Sequence, residues 1–168
     1  MKKNINGIKK VLVVGAIGPD GWFDKLQATP SECEAISKRL KIPGVKKLCA
    51  TIRINWKNDI ICVQGHLSAQ LLRECVVSLD LFTEIIDTDF EALFSEDSPT
   101  TEKEVEMKDA IDPIDRGRLD LFEILTEQVG LTMDPFPHKP GVSGNYAEFS
   151  QHLGHKPFSN LKKMIKND

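Results

Sequence analysis

Apolar and polar residues alternate along the middle of the chain, which is the spacing of strands that bury one face. Residues 48–56 alternate in this way, 57–59 form a short polar turn, and 60–67 return as a second apolar run. These two segments predict a β-hairpin. Further strands are predicted over residues 70–75 and about 82–94. Because strands that follow one another through short turns usually pair antiparallel, the pattern indicates an antiparallel sheet.

The chain before the hairpin predicts a strand and a helix. Residues 10–17 contain a run of strand-forming valines and lead into a Gly-Pro-Asp-Gly turn. Further on, Thr29 can cap a helix, Pro30 suits its first position, and Glu32 can complete a capping box. We therefore predict a helix over residues 31–40 that is stopped by Ile-Pro-Gly.

A second, amphipathic helix is predicted over residues 119–129. Its apolar residues recur at intervals of three and four, so one face should carry Leu121, Ile124, Leu125 and Val129. The polar residues Asp120, Glu123, Thr126 and Glu127 fall elsewhere. Gly130 is expected to end the helix in the left-handed conformation, with Leu131 packing back on the last turn.

Together these elements predict an α+β fold. We expect one domain over residues 1–168, with an antiparallel sheet of four to six strands and the two helices packed on it. Closure of the sheet into a barrel-like form is left open. An acidic flexible loop is expected near residues 95–112 and a basic tail near 142–168, because both segments lack regular patterning.

Composition narrows the class of protein. The chain has 168 residues, of which 40% are hydrophobic and 28% charged, as in globular proteins. No apolar run approaches the roughly 18 residues needed to span a bilayer, and the N-terminus lacks the features of a secretory signal. We predict a cytoplasmic protein with no membrane contact.

Charge is divided unevenly along the chain. Residues 80–127 hold sixteen acidic and four basic residues, whereas the remainder holds nine acidic and eighteen basic residues. Such a division can give a molecule one face for an anionic partner and another for a cationic partner. A solvated acidic loop over residues 95–109 accounts for only part of it.

Nothing in the sequence argues for catalysis, a cofactor or a metal. The four cysteines form no C-x-x-C pair and are interpreted as small buried hydrophobic residues. His152 and His155 have no nearby ligand set. The glycines at 15, 18 and 21 have the wrong spacing for a dinucleotide-binding loop.

Residues 134–141, Asp-Pro-Phe-Pro-His-Lys-Pro-Gly, form a segment that we call the strap. Three prolines stiffen its backbone and exclude another helix. The segment offers two rings, those of Phe136 and His138, and the cation of Lys139, on a backbone that loses little entropy on binding. A structural strap along the domain and a binding segment are equally consistent with this pattern.

These motifs, in this order, resemble the YceD family, bacterial proteins linked to accumulation of large-subunit ribosomal RNA. The resemblance is carried by residues 28–32, 63–65 with 73–80, 117–128 with 134–141, and 156–162. The family positions in these blocks are Cys75, Asp120, Glu127, Pro135, Pro137 and Gly141. Many relatives have a second cysteine where this chain has Ser78, and cysteines in the proline-rich segment. This chain is therefore similar to the branch with a Cys-Val-Val-Thr-Leu-Glu-like block.

The resemblance implies a non-enzymatic factor in large-subunit biogenesis, with ribosomal RNA or a large-subunit ribosomal protein as its partner. Candidate RNA or partner contacts are Arg73, Arg116, Arg118, Phe136, His138, Lys139, Lys156, Lys162, Lys163 and Lys166. The alternative is a protein-binding adaptor that does not touch RNA. An enzyme acting on RNA would need clustered acids or a metal set, which the sequence does not clearly contain. Oligomeric state and strand order stay open.

Overall fold

The structure is a computed structural model, and it describes residues 7–8, 10–96 and 111–142. Three long strands dominate it, β3 (Gly44–Lys57), β4 (Ile60–Glu74) and β5 (Leu81–Ser95), paired antiparallel in that order. β2 (Trp22–Gln27) extends the sheet antiparallel to β3, and β6 (Ile111–Pro113) extends it parallel to β5. The predicted α+β class is confirmed, and this five-stranded sheet is open rather than closed into a barrel.

The strands differ from the prediction in three places. Residues 70–75 do not start a new strand, because β4 continues unbroken from Ile60 to Glu74 opposite β5. β2 was not predicted, because a short alternating run at a sheet edge gives a weak pattern. β6 overlaps the end of the predicted loop of 95–112, and its parallel pairing with β5 needs no tight turn.

The predicted strand over residues 10–17 is shorter in the structure. β1 covers Val11–Val13 and pairs with β7 (Arg118–Asp120) as a separate two-stranded sheet. The next residues, Val14–Ala16, form a 3₁₀ turn that the Ile17 amide closes by donating to the Val14 carbonyl. The Val14 amide still donates to the Gly117 carbonyl at 2.9 Å, but Gly117 has a φ of 66° and no longer follows the strand conformation.

Helix α1 (Pro30–Leu40) confirms the helix prediction and its capping box. The Glu32 amide donates to the Thr29 hydroxyl at 3.4 Å, and the Thr29 amide donates to the Glu32 carboxylate at 2.7 Å. Lys41 then takes a left-handed conformation with φ of 54° and ends the helix.

Helix α2 (Leu121–Thr132) lies later along the chain than predicted. Asp120 is its N-cap and accepts from the amides of Phe122 and Glu123, so Leu119 belongs to β7. Gly130 does not end the helix. It lies inside the last turn, where an added Cβ would stand 3.3 Å from Leu40 of α1, so its role is close helix contact.

The side chains of α2 divide largely as the spacing predicts. Leu121, Ile124, Leu125 and Val129 are all buried. Leu131 does not pack back, because the helix continues past Gly130 and leaves this side chain 79% exposed. Thr126 is also buried, contrary to prediction, and its hydroxyl is satisfied by donating to the Phe122 carbonyl at 2.6 Å.

One hydrophobic cluster joins the sheet to both helices. It includes Ile36 of α1, Ile52 and Leu67 of the sheet, and Leu125 of α2. The helices therefore cover one face of the sheet, which we call the inner face. Cys33, Cys62 and Cys75 are buried, Cys49 is half-buried, and all four thiols are free. No helix in the described ranges has the length and apolar character needed to cross a bilayer.

Candidate functional site: the strap and the hairpin turn

The strap lies against the turn that joins β4 to β5, residues 75–80, which we call the hairpin turn. The Val76 amide donates to the Pro137 carbonyl at 2.9 Å. Pro137 is buried, whereas Pro135 is exposed and Gly141 is exposed with a φ of 85°. The strap thus joins two segments that are far apart in the sequence.

Arg73 and Glu84 anchor the start of the strap. The two side chains form a mostly buried ion pair between neighbouring strands, at 7% and 16% exposure. Arg73 also donates to the Asp134 carbonyl at 2.7 Å, and Glu84 accepts from the Asp134 amide at 2.8 Å. Each charge therefore binds both its partner and the strap backbone, and Arg73 has little surface left for a phosphate.

Cys75 sits beneath the strap with no exposed surface. Backbone amides of Lys139 and Ser78 donate to its sulfur and lower the pKa of the thiol to about 6, with a smaller contribution from Val77, although burial opposes the shift. These donors stabilise a thiolate in the way that backbone amides stabilise other anions. The sulfur thus forms part of the contact between the strap and the turn.

The turn itself is closed by short-range bonds. The Cys75 amide donates to the Asp80 carbonyl, and the Leu79 amide donates to the Cys75 carbonyl, both at 2.9 Å. Lys139 Nζ lies 3.0 Å from Asp80, and this contact lowers the pKa of the Asp80 carboxyl. Lys139 is therefore already paired within the described structure.

Other groups of this region face solvent. Phe136 is 69% exposed, and His138 is exposed as well. Beside them the hairpin turn exposes Val76, Val77 and Leu79, whereas Leu81 and Ile85 of β5 are exposed on the face of the sheet away from the helices. Exposed apolar groups that lie together are typical of protein interaction sites.

The remaining predicted residues lie apart from the strap. Arg116 and Arg118 are exposed around β7, where the side chain of Arg116 is 3.8 Å from Asp115. Asp120 caps α2 and Glu127 is exposed on that helix. Lys156, Lys162, Lys163 and Lys166 lie outside the described residues. The structure thus brings together Arg73, Cys75, Phe136, His138 and Lys139, and it does not bring Arg116 or Arg118 to them.

A second polar surface was not predicted. The face of the sheet opposite the helices, which we call the outer face, carries Phe23, Lys25, Arg53 and His66. The alternation along each strand indicates which of its residues share a face. Only the register between strands shows which residues of different strands become neighbours. Among the described residues, no group of three His, Cys, Asp or Glu side chains could hold a metal ion.

Comparison with known proteins gives one match. The model of a family described as large ribosomal RNA subunit accumulation protein YceD matches residues 63–164, more than half of the chain. This range includes β4 from Val63 onward, the hairpin turn, β5, α2 and the strap. Neither the curated proteins nor the solved structures contain a significant match.

Proposed function

The chain belongs to the YceD family, and we propose that it supports the accumulation of large-subunit ribosomal RNA without catalysing a reaction. The family match over residues 63–164 carries this proposal. It supports a role in ribosome biogenesis, and from it we extend the proposal to a cytoplasmic factor that acts on assembling large subunits by binding.

The geometry of the strap region supports binding rather than catalysis. Within the described residues, Arg73 is paired with Glu84, Lys139 is paired with Asp80, and Cys75 has no exposed surface. A nucleophile or a general base must reach its substrate. These groups instead hold the strap in place, and the surface left to a partner consists of Phe136, His138 and the apolar hairpin turn.

Depletion of the protein in growing cells tests the proposal. We expect large-subunit ribosomal RNA to fall relative to small-subunit RNA, and the free large subunit to diminish in sucrose gradients. Wild-type protein supplied in trans should restore both, and a Leu131→Ala variant, changed at an exposed site outside the strap, should restore them equally. Unchanged RNA ratios and ribosome profiles after full depletion would contradict the proposed function.

The exposed apolar hairpin turn favours a second candidate, a protein-binding adaptor that does not touch RNA. A protein partner can bury exposed apolar side chains against its own apolar surface, whereas a charged phosphate cannot. Binding of purified large-subunit RNA fragments at two salt concentrations separates the candidates. Affinity that falls steeply with salt supports direct RNA contact, whereas no detectable RNA affinity beside a persistent effect on the RNA ratio supports the adaptor.

A further inference from the structure

The outer face of the sheet is a broad surface that no described element covers. The cluster that joins the sheet to α1 and α2 uses the alternate residues Leu48, Ala50, Ile52 and Ile54 of β3. The intervening residues of β3 therefore point away from the helices. Arg53 is exposed there, and its neighbours across the ladder, Phe23 and Gln64, are exposed too.

Charge is sorted across this face from one edge to the other. In one row Lys25 of β2 pairs with Thr51, which pairs with His66, which pairs with Asp89 of β5. The next row runs from Phe23 through Arg53 and Gln64 to Glu91, and Lys47 adds a cation on β3. The cations thus lie on β2 and β3 and the carboxylates on β5.

The β2–β3 half combines its cations with an aromatic ring. Phe23 is 55% exposed, and the Arg53 guanidinium carbon lies 5.9 Å from the ring centroid. Neither Lys25 nor Arg53 has a carboxylate partner among the described residues, in contrast to Arg73 and Lys139. An exposed aromatic ring on an edge strand is not needed for the stability of the fold. Such a ring is, however, what a protein surface needs to stack an unpaired base.

We propose that the β2–β3 half of the outer face binds single-stranded RNA, with a base stacked on Phe23 and phosphates held by Lys25, Arg53 and Lys47. This inference rests on the proposed function and assigns the RNA binding to a defined surface of the protein. Unpaired bases can stack on an aromatic side chain, whereas bases inside a duplex are not available to it.

The β5 half sets a boundary for the bound strand. Asp87, Asp89 and Glu91 are exposed on the same face, and neighbouring strands are about 4.8 Å apart. The carboxylates therefore lie on the order of 10 Å from β3, which is close to the screening length at about 0.1 M salt. They repel phosphates and confine the RNA backbone to β2 and β3.

Fluorescence anisotropy with a labelled single-stranded RNA, and with the same RNA annealed to its complement, tests the proposal. We expect Phe23→Ala to weaken single-strand binding about tenfold with an unchanged salt dependence, and Phe23→Trp to retain it. Lys25→Gln and Arg53→Gln should each lower the slope of log affinity against log salt by about 0.7. Lys38→Gln is the matched control, because Lys38 is an exposed cation on α1, on the other side of the sheet. Circular dichroism confirms that each variant is folded.

Several outcomes would overturn the proposal. If the Phe23 and Arg53 variants bind RNA with unchanged affinity, the RNA binds elsewhere on the protein. The same conclusion follows if Lys38→Gln weakens the affinity equally. A duplex bound as tightly as the single strand would exclude base stacking. If the protein forms a dimer and Phe23→Glu dissociates it, this face binds a second copy of the chain instead of RNA. A two-fold axis parallel to the strands would place the carboxylates of one copy over the cations of the other.

The proposed function and this inference can fail separately. If depletion lowers large-subunit RNA but the purified protein binds no single-stranded RNA, the surface assignment is wrong and the function stands. If binding depends on Phe23 but depletion leaves the RNA unchanged, the assignment stands and the function is wrong.

Discussion

Two titratable residues, Cys75 and His66, have their ionisation set by the groups immediately around them. Cys75 is held by backbone amides of the strap and the hairpin turn. His66 is held by two carboxylates, with Nδ1 2.8 Å from Asp89 and Nε2 3.0 Å from Asp87. In both residues the neighbours favour the charged form, so each makes stability depend on pH in a direction that can be measured.

For Cys75 we expect stability to rise with pH. Its pKa is about 6 in the folded protein and 9.0 ordinarily. Between these values the unfolded chain binds the proton more tightly, so ionisation favours folding progressively up to about pH 9, and the benefit is lost as pH falls through about 6. Cys75→Ala should flatten this part of the profile of unfolding free energy, measured by urea denaturation across pH 6 to 9. Cys49→Ala is the control. Equal slopes in Cys75→Ala and wild type would contradict the expectation.

For His66 the direction is opposite. Asp89, followed by Asp87, raises the pKa of the imidazole above 6.5. The resulting stabilisation is fully present below the unfolded pKa and is lost as pH rises through the folded pKa. NMR titration of the His66 ring should show Asp89→Asn lowering its pKa more than Asp87→Asn, and His66→Gln identifies the signal. A pKa that neither substitution lowers would show that the carboxylates do not hold the ring.

At the scale of elements, the strap is attached to the β4–β5 hairpin by contacts from both of its ends. Arg73 and Glu84 bind Asp134 at its start, and Lys139 contacts Cys75 and Asp80 near its end. Prolines alone would make the segment stiff, but these contacts determine where it lies. They account for a structural role of the strap, and Phe136 and His138 remain its predicted partner contacts.

Loss of Arg73 should release the strap. Arg73→Ala leaves the Glu84 carboxylate unpaired and removes a donor from the Asp134 carbonyl, so we expect a loss of roughly 3–5 kcal/mol in the free energy of unfolding. The Val76 amide donates to the Pro137 carbonyl. Its hydrogen exchange should accelerate by more than the loss of global stability alone accounts for. Lys139→Met, which breaks only an exposed pair with Asp80, should cost less than about 1 kcal/mol. Unaltered Val76 exchange in Arg73→Ala would refute this account of the clamp.

At the scale of the whole molecule, a single hydrophobic cluster holds the sheet and the two helices together. It extends from Ile36 in α1 through the inner face to Val129 in α2. The outer face contributes little to this core and carries the sorted charges. The division of charge along the sequence therefore appears again across one surface, because β5 comes from the acidic part of the chain and β2 and β3 come from the basic part.

A shared core predicts cooperative unfolding of the sheet and helices. Leu125 has no exposed surface, and Leu125→Ala should lower the free energy of unfolding by about 2–5 kcal/mol. Unfolding can be followed by tryptophan fluorescence, which reports on Trp22 in β2 and Trp56 in β3, and by far-ultraviolet circular dichroism. The unfolding midpoints from the two probes should shift by the same amount. Leu131→Ala is the matched control, because that side chain is 79% exposed. Separate transitions for the two probes would contradict a single cooperative unit.

Local signals predicted the fold better than the site. Thr29 and Glu32 could be identified as a capping box because both partners lie within one helical turn. Gly130 was misinterpreted because the same residue type suits a helix end and a close helix contact, and only Leu40 distinguishes the two. Arg73 was predicted to contact a partner because its charge is visible in the sequence, whereas Glu84 and Asp134 approach it only after folding.

The sequence by itself determined the α+β class, the existence of the β3–β4 hairpin, both helices and the stiffness of the strap, because these depend on residues within a few positions of each other. Only the tertiary structure decided that β2 pairs with β3 and β6 with β5 at the two edges of the sheet, that the strap lies on the hairpin turn, and that cations and carboxylates share the outer face. Those features depend on strand register and on pairs separated by tens of residues, such as Arg73 with Asp134 and Phe23 with Arg53. Short-range spacing contains no information about such distant pairs.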